Sequence, residues 1–243
     1  MIFTPLHPVY GIKEQTVQSV RAIINEYDKP IDWLLAANDN ISDKPYENVV
    51  NHHNRARQII LEQDYEAMLS IEADMILPPD TASRLMAIDA DIVYGLYVWR
   101  HKPRRWSAYK TLNLWGGESL SFNSDGQNAR EAWGKVKDVA GLGMGCTLIR
   151  RNVLEAINFR IHDGNPGWIV DEYKEQFETL GINPYRPHPH MVCDDWLLAM
   201  DAQHYGFSQK ADCGLICGHI FQDEVLWPDI DADKFYRVES LRS

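Results

Sequence analysis

The 243-residue chain is poor in the devices that hold small secreted proteins together. It has four cysteines (Cys146, Cys193, Cys213, Cys217), which fit reduced thiols in a cytoplasm better than a disulfide framework. A chain of this length buries roughly 70–75% of its unfolded surface, so it needs no covalent staple. It has no Gly/Ser or Pro-rich linker and no internal repeat, which favours a single domain with an irregular insertion. It also lacks long apolar runs. Met68–Ile71 and Ile92–Trp99 are far shorter than a membrane span requires, so none is expected. No charged start followed by an apolar stretch opens the chain, so no signal peptide is expected. Basic residues are scarce as well: 24 Lys plus Arg stand against 35 Asp plus Glu, a formal charge of −11. General nucleic-acid binding draws its affinity from cations on phosphates and is not expected. What is present, 45% hydrophobic and 24% charged residues, describes a globular enzyme or binding protein of the cytoplasm.

Short apolar runs alternate with segments of helical period through the first hundred residues. Ile2-Phe3-Thr4 reads as a brief strand stopped by Pro5. Val17, Val20, Ile23 and Ile24 recur at helical spacing between Thr16 and Tyr27. Ile31–Ala36 is a second strand, ending in the polar turn Asn38-Asp39-Asn40. A helix over 51–63, a strand-like run over 65–71, a helix over 81–88 and a buried strand over 91–99 follow. Such alternation predicts an α/β fold whose mostly parallel sheet is covered on both faces. Beyond it, residues 100–135 are rich in Trp, Gly, Ser and Asn and suggest loops or a short hairpin. Val136–Ala140 reads as a strand leading to a glycine loop. A helix begins near Asn152, and another runs from Asp194 to Tyr205, closed by Gly206.

The strand over 65–71 runs straight into Glu72-Ala73-Asp74. In extended chain the two carboxylates point to one side, about 7 Å apart at Cα. Open parallel sheets bind ligands outside the carboxyl ends of their strands. Two acids there repel each other unless a cation or a proton intervenes. Oxygen ligands suit a hard divalent ion, Mg²⁺ or Mn²⁺. A solvated strand end before Pro78-Pro79 is the plain alternative, and the spacing alone does not decide.

Asp194-Asp195 open the late helix. Aspartates cap helix N-termini and complement the dipole, which accounts for one of them; the other can point into a cleft as a general base. Cys213, Cys217 and His219, with Cys193, allow a zinc site, but the spacing is not that of paired zinc ligands. Buried packing thiols on a strand are the better reading. His219, near a sheet end, is either a third metal ligand or a core histidine. His188 and His190 lie in a Pro-rich loop. Gly141-Leu142-Gly143-Met144-Gly145 lacks the dinucleotide fingerprint and implies close backbone approach to a ligand or another segment. Arg100-His101-Lys102-Pro103-Arg104-Arg105-Trp106 is the one basic cluster, either a solvated loop or a cover for an anionic or sugar substrate.

Taken in order, these segments resemble inverting, family-2-like glycosyltransferases of the GT-A fold. Asn54-Arg55-Ala56-Arg57 looks like the "ARN" helix, with Gln58 in place of its Asn. Glu72-Ala73-Asp74 resembles the DxD motif, with Glu72 in place of its first Asp. Gly143–Arg151 resembles the glycine loop and "IRR" helix start, Asp194-Asp195-Trp196 the "ED" base motif, and Gly218-His219 the terminal metal-binding histidine. The resemblance covers residues 2–220. It implies a Rossmann-like fold with a nucleotide-binding half (1–100), an acceptor-binding half (101–220) and a tail (221–243). It implies transfer of a sugar from a nucleoside diphosphate sugar to an unidentified acceptor hydroxyl, with Mn²⁺ or Mg²⁺ held by Asp74, His219 and Glu72. Asp195 would be the base and Asp194 its steadying neighbour. Thr4, His7, Asp39, Arg57 and Glu72 would border the donor, and Gly143, Gly145, Trp106 and Trp196 the acceptor. The alternatives are a nucleotidyltransferase or a non-catalytic sugar-nucleotide binder. Nucleotidyltransferases usually carry a glycine-rich basic first loop, which Pro5-Leu6-His7-Pro8 does not supply.

Overall fold

The computed structural model describes residues 1–7, 10–36, 43, 45–121, 126–160, 167–183 and 194–241. The predicted turn at Asn38-Asp39-Asn40 lies outside them. The first hundred residues form β1 (Ile2–Pro5), α1 (Glu14–Glu26), β2 (Trp33–Ala36), α2 (Pro45–Glu62), β3 (Ala67–Ile71), β4 (Met75–Ile76), α3 (Thr81–Ala87) and β5 (Ile92–Leu96). A hairpin follows, β6 (Tyr109–Asn113) and β7 (Gly116–Ser119), then α4 (Gln127–Ala132), β8 (Val136–Asp138), β9 (Cys146–Arg150) and α5 (Arg151–Ala156). The remainder comprises α6 (Gly167–Glu172), α7 (Lys174–Leu180), α8 (Asp194–His204), β10 (Gln209–Ile216), β11 (Gly218–Phe221), β12 (Glu224–Pro228) and β13 (Tyr236–Ser240). Among the described residues no helix is long and apolar enough to cross a membrane.

Seven strands make the main sheet in the order β2-β1-β3-β9-β5-β10-β8. β1 lies parallel to β2 and β3, and β10 parallel to β5. β9 runs antiparallel between β3 and β5, and β8 antiparallel at the edge beside β10. The sheet is therefore mostly parallel, as the alternation predicts. Every residue of β3 and β5 is buried. Successive strand residues face opposite sides, so both faces of the sheet are covered. A smaller antiparallel sheet, β13-β12-β11-β4, draws two of its strands from the last twenty residues, to which the sequence assigned no element.

Several boundaries move. α2 starts at Pro45 rather than residue 51; proline suits a first helical turn, where its missing N–H leaves no bond unmade. The buried strand over 91–99 keeps its ladder only to Leu96, and β8 stops at Asp138. Helices α6 and α7 were not foreseen. With β6 and α8 they enclose a second apolar cluster around Tyr109, Ile169, Phe177 and Met200.

Three arginines join helices end to side. The last carbonyls of a helix have no partner within it, and neither α2 nor α5 has a basic residue in its last turn. Arg57, on α2, donates to the carbonyls of Leu154 and Ile157 at the end of α5. Arg151 donates to Ile60 O and Leu61 O at the end of α2, each at 3.0 Å. Arg150 donates to Met86 O (2.8 Å) and Ile88 O (3.3 Å) at the end of α3. Asn54 exchanges two bonds with the backbone of Phe159. These residues are structural staples, not donor contacts. Arg57→Met should therefore lower stability by about 1.5–3 kcal/mol in chemical denaturation while leaving Mn²⁺ affinity unchanged. A loss of metal or nucleotide binding at unchanged stability would contradict this assignment.

Cys146, Cys213 and Cys217 are buried free thiols. Cys146 and Cys217 pack on Gly95, where an added Cβ would lie 2.8 Å from Cys146 Sγ and 3.0 Å from Cys217 Sγ. They are packing residues, which removes the ligands of the zinc alternative; Cys193 lies outside the described residues. Burial, then the charge of Asp212, pushes the Cys213 thiol up to about 12. It stays protonated in the folded chain where the unfolded chain ionises near 9, so its contribution is intact below pH 9 and is lost as pH rises toward 12. Denaturant midpoints should therefore fall over that range, and less steeply in Cys213→Ala. All three thiols should resist Ellman's reagent until the chain is unfolded.

Candidate active site

β3 delivers Glu72-Ala73-Asp74 at its carboxyl end, and three separate segments hold that turn. The Ala73 carbonyl accepts the Lys13 N–H (2.9 Å) and the Thr16 hydroxyl (3.1 Å) at the start of α1. The Glu72 N–H donates to Gly145 O (3.3 Å), and the Asp74 carbonyl accepts the Ile220 N–H (2.8 Å). β4 pairs with β11 in the register Met75↔His219, which sets His219 beside Asp74 across the ladder. Glu72, Asp74 and His219 thus each bring one ligand atom into a group whose members lie within 4.8 Å of one another. Asp74 and His219 are each only 3% exposed.

His219 Nδ1 lies 2.8 Å from Val98 O. A carbonyl only accepts, so Nδ1 carries the proton and donates. In the neutral ring, Nε2 then presents its lone pair toward Asp74 Oδ1 at 3.7 Å, too far for a hydrogen bond, and it has no hydrogen-bond partner. A buried nitrogen oriented through its other ring atom and facing two carboxylates fits a metal ligand. Donors 3.7 Å apart can both reach one ion through bonds of about 2.0–2.2 Å. Two carboxylates and an imidazole are thus a fitting donor set for a divalent cation. Burial alone would lower the pKa of His219, but the neighbouring carboxylates of Asp74 and Glu72 raise it. Burial likewise opposes ionisation of Asp74, and His219, Arg100 and Tyr10 overcome it. The position favours positive charge, whether a proton or a cation. Asp74 Oδ2 accepts Arg100 Nη1–H at 2.6 Å and the Tyr10 hydroxyl at 2.9 Å. His7 stacks on the Tyr10 ring with centroids 3.7 Å apart.

Across the cleft α8 presents Asp195 near its first turn, where Oδ1 accepts the Trp196 N–H at 2.7 Å. The glycine loop stands between Asp195 and the metal-ligand group. An added Cβ at Gly143 would strike the Tyr97 hydroxyl and lie 3.0 Å from Asp195 Oδ2. One at Gly145 would lie 2.9 Å from the Tyr97 ring and 3.1 Å from Met75 Sδ. The close approach expected of this loop is therefore to Tyr97, whose hydroxyl accepts the Gly145 N–H (3.3 Å). Burial, then the charges of Glu72 and Asp195, keep Tyr97 neutral. His7, Glu72, Asp74, Arg100, Met144 and Asp195 line one cleft of about 600 Å³, its open mouth included. A cavity beside Met1, Ile31, Tyr65 and Ala67 contains none of these ligand residues.

The remaining expected contacts fall elsewhere. Thr4 is fully buried in β1 with its hydroxyl accepting the Trp33 indole N–H (3.2 Å); Pro5 and Leu6 reach the cleft instead. Arg57 is occupied at the end of α5. Trp106 is fully buried and donates its indole N–H to Phe235 O at 2.6 Å, so it cannot meet an acceptor. Trp196 donates to Asn113 O (3.0 Å) and packs edge-on against Tyr109, bracing the β6–β7 hairpin. Asp39, His188, His190 and the side chain of Asp194 lie outside the described residues. Tyr10, Tyr97 and the contact of Arg100 with Asp74 escaped sequence reasoning. Tyr97 sits in an apolar run whose pattern reads only as buried strand, and Tyr10 in a segment without periodicity.

The crystal structure of A197 from STIV is similar to this chain, with a TM-score of 0.55 and 14% identity over 100% of this chain and 93% of that one. At that identity the likeness concerns the fold alone. No family model and no curated protein matches the chain.

Proposed function

We propose that this chain is a metal-dependent glycosyltransferase of the GT-A type, moving a sugar from a nucleoside diphosphate sugar to an acceptor hydroxyl with inversion. One observation carries the reading. A single cleft at the carboxyl end of β3 is lined by Glu72 and Asp74, whose buried partner His219 lies within 4.8 Å of them, and by the Asp195 carboxylate. Asp195 takes the proton of the acceptor hydroxyl as that oxygen bonds to the anomeric carbon; the bond to the diphosphate breaks, and its electron pair leaves with the diphosphate. The Trp196 N–H on Oδ1 fixes the carboxylate for that role. Asp74 and His219, with Glu72, would hold Mn²⁺ or Mg²⁺, which would supply positive charge against that growing on the departing diphosphate. His7 and Tyr10 border the same side as Asp74. Opposite-face attack by the hydroxyl accounts for inversion.

The test is nucleoside diphosphate release from a panel of nucleotide sugars, with Mn²⁺ or Mg²⁺ and with a chelator. Release with at least one donor, stopped by the chelator, is expected. Calorimetric nucleotide binding without turnover would replace the reading with a silent binder. Pyrophosphate release from a nucleoside triphosphate would replace it with a nucleotidyltransferase.

A further inference from the structure

Arg100 occupies the carboxylate that a cation would need. Its Nη1 lies 2.6 Å from Asp74 Oδ2, and its side chain is about one-third exposed and lines the cleft. The rest of its loop is fastened elsewhere. The Trp99 N–H donates to Arg105 O at 2.9 Å, closing the loop at its base. Arg104 pairs with Glu224 at 3.3 Å, and Arg105 lies over the Trp99 and Tyr109 rings. Arg100 can therefore change partner by side-chain rotation alone. Three carboxylates, Glu72, Asp74 and Asp195, line the cleft, and Arg100 is the arginine set among them. A divalent ion on Asp74 would meet the guanidinium at close range, and like charges that close are costly. A diphosphate removes the conflict, because its oxygens can bridge the ion and the planar donor fork of an arginine.

We propose that Arg100 is a placeholder that opposes binding of a bare divalent cation at Asp74 and transfers to the diphosphate when cation and anion arrive together. The consequence is ordered loading: a free ion binds weakly, and the cation–diphosphate complex binds well. This rests on the glycosyl-transfer reading above, since it assumes that Glu72, Asp74 and His219 are cation ligands. It adds a role for a residue outside that group, and it assigns the cleft an anion partner of the diphosphate class.

The two arms of the test predict opposite signs. Mn²⁺ binding to the whole chain is followed by electron paramagnetic resonance, once with Mn²⁺ alone and once with preformed Mn²⁺–pyrophosphate. Arg100→Gln should bind bare Mn²⁺ about tenfold more tightly than the wild type, and the pyrophosphate complex about tenfold more weakly. Arg100→Lys keeps the charge and should follow the wild type with bare Mn²⁺, which guards against misreading a folding defect in the glutamine variant. Bare-ion affinity that is unchanged or weaker in Arg100→Gln overturns the placeholder role while the cation site stands. Unchanged affinity for the pyrophosphate complex overturns the transfer to diphosphate. No Mn²⁺ bound by any of the three proteins, in either arm, overturns the cation site itself and the inference with it.

Discussion

Asp74→Asn is expected to reduce Mn²⁺ affinity by at least about a hundredfold, more than loss of an outer-shell partner usually costs. Metal-dependent release of nucleoside diphosphate should fall by about 10²–10³-fold or more. The substitution keeps shape and one acceptor oxygen, so Arg100 and Tyr10 retain a partner on the side chain. It removes the charge that balances the cation and helps to raise the pKa of His219. The melting temperature should move little, because Arg100 is one-third exposed and can turn to water. Isothermal titration with Mn²⁺ and thermal unfolding, measured on the same preparation, separate loss of the site from loss of the fold. Wild-type affinity in Asp74→Asn would remove Asp74 from the cation's ligands.

Asp195→Asn should act on the other half of the reaction. An amide cannot take the proton of the acceptor hydroxyl, and loss of a positioned general base costs about 10²–10⁴-fold in turnover. The amide oxygen can still accept the Trp196 N–H, so the start of α8 should hold. Mn²⁺ affinity should stay at the wild-type value, because Asp195 is not a member of the ligand group. The pair of variants therefore predicts a crossed pattern: one loses metal and turnover, the other turnover alone. Stopped-flow or steady-state diphosphate release against saturating donor is the readout. Full activity in Asp195→Asn would assign the base elsewhere.

The sequence made the architecture legible because its signals are local. Alternating apolar runs and helical periods mark β1, β2, β3 and β5 with α1 to α3, and the acids at the end of β3 are two residues apart in the chain. What it did not reveal depends on distant partners. Arg57 and Arg151 look like members of substrate-facing motifs, yet their donors serve helix ends about a hundred and about ninety residues away. Trp106 follows a basic cluster and reads as exposed, but its indole N–H is satisfied at Phe235, 129 residues further on. No local pattern encodes such a pairing. The last strands escaped notice for the same reason, since β12 finds its place only against β11 and β13 only against β12. His219 is intermediate. Its position after a strand suggested a sheet end, while its pairing opposite Met75, which puts Nε2 toward Asp74, is a matter of register.

Anomalous diffraction at the manganese edge, from crystals grown with Mn²⁺ and a nucleoside diphosphate, examines the central claim most directly. The account predicts one strong peak bonded to an oxygen of Asp74 and to Nε2 of His219, with phosphate oxygens completing the shell. An ordered diphosphate with no peak there, or with manganese bound away from both residues, would contradict it.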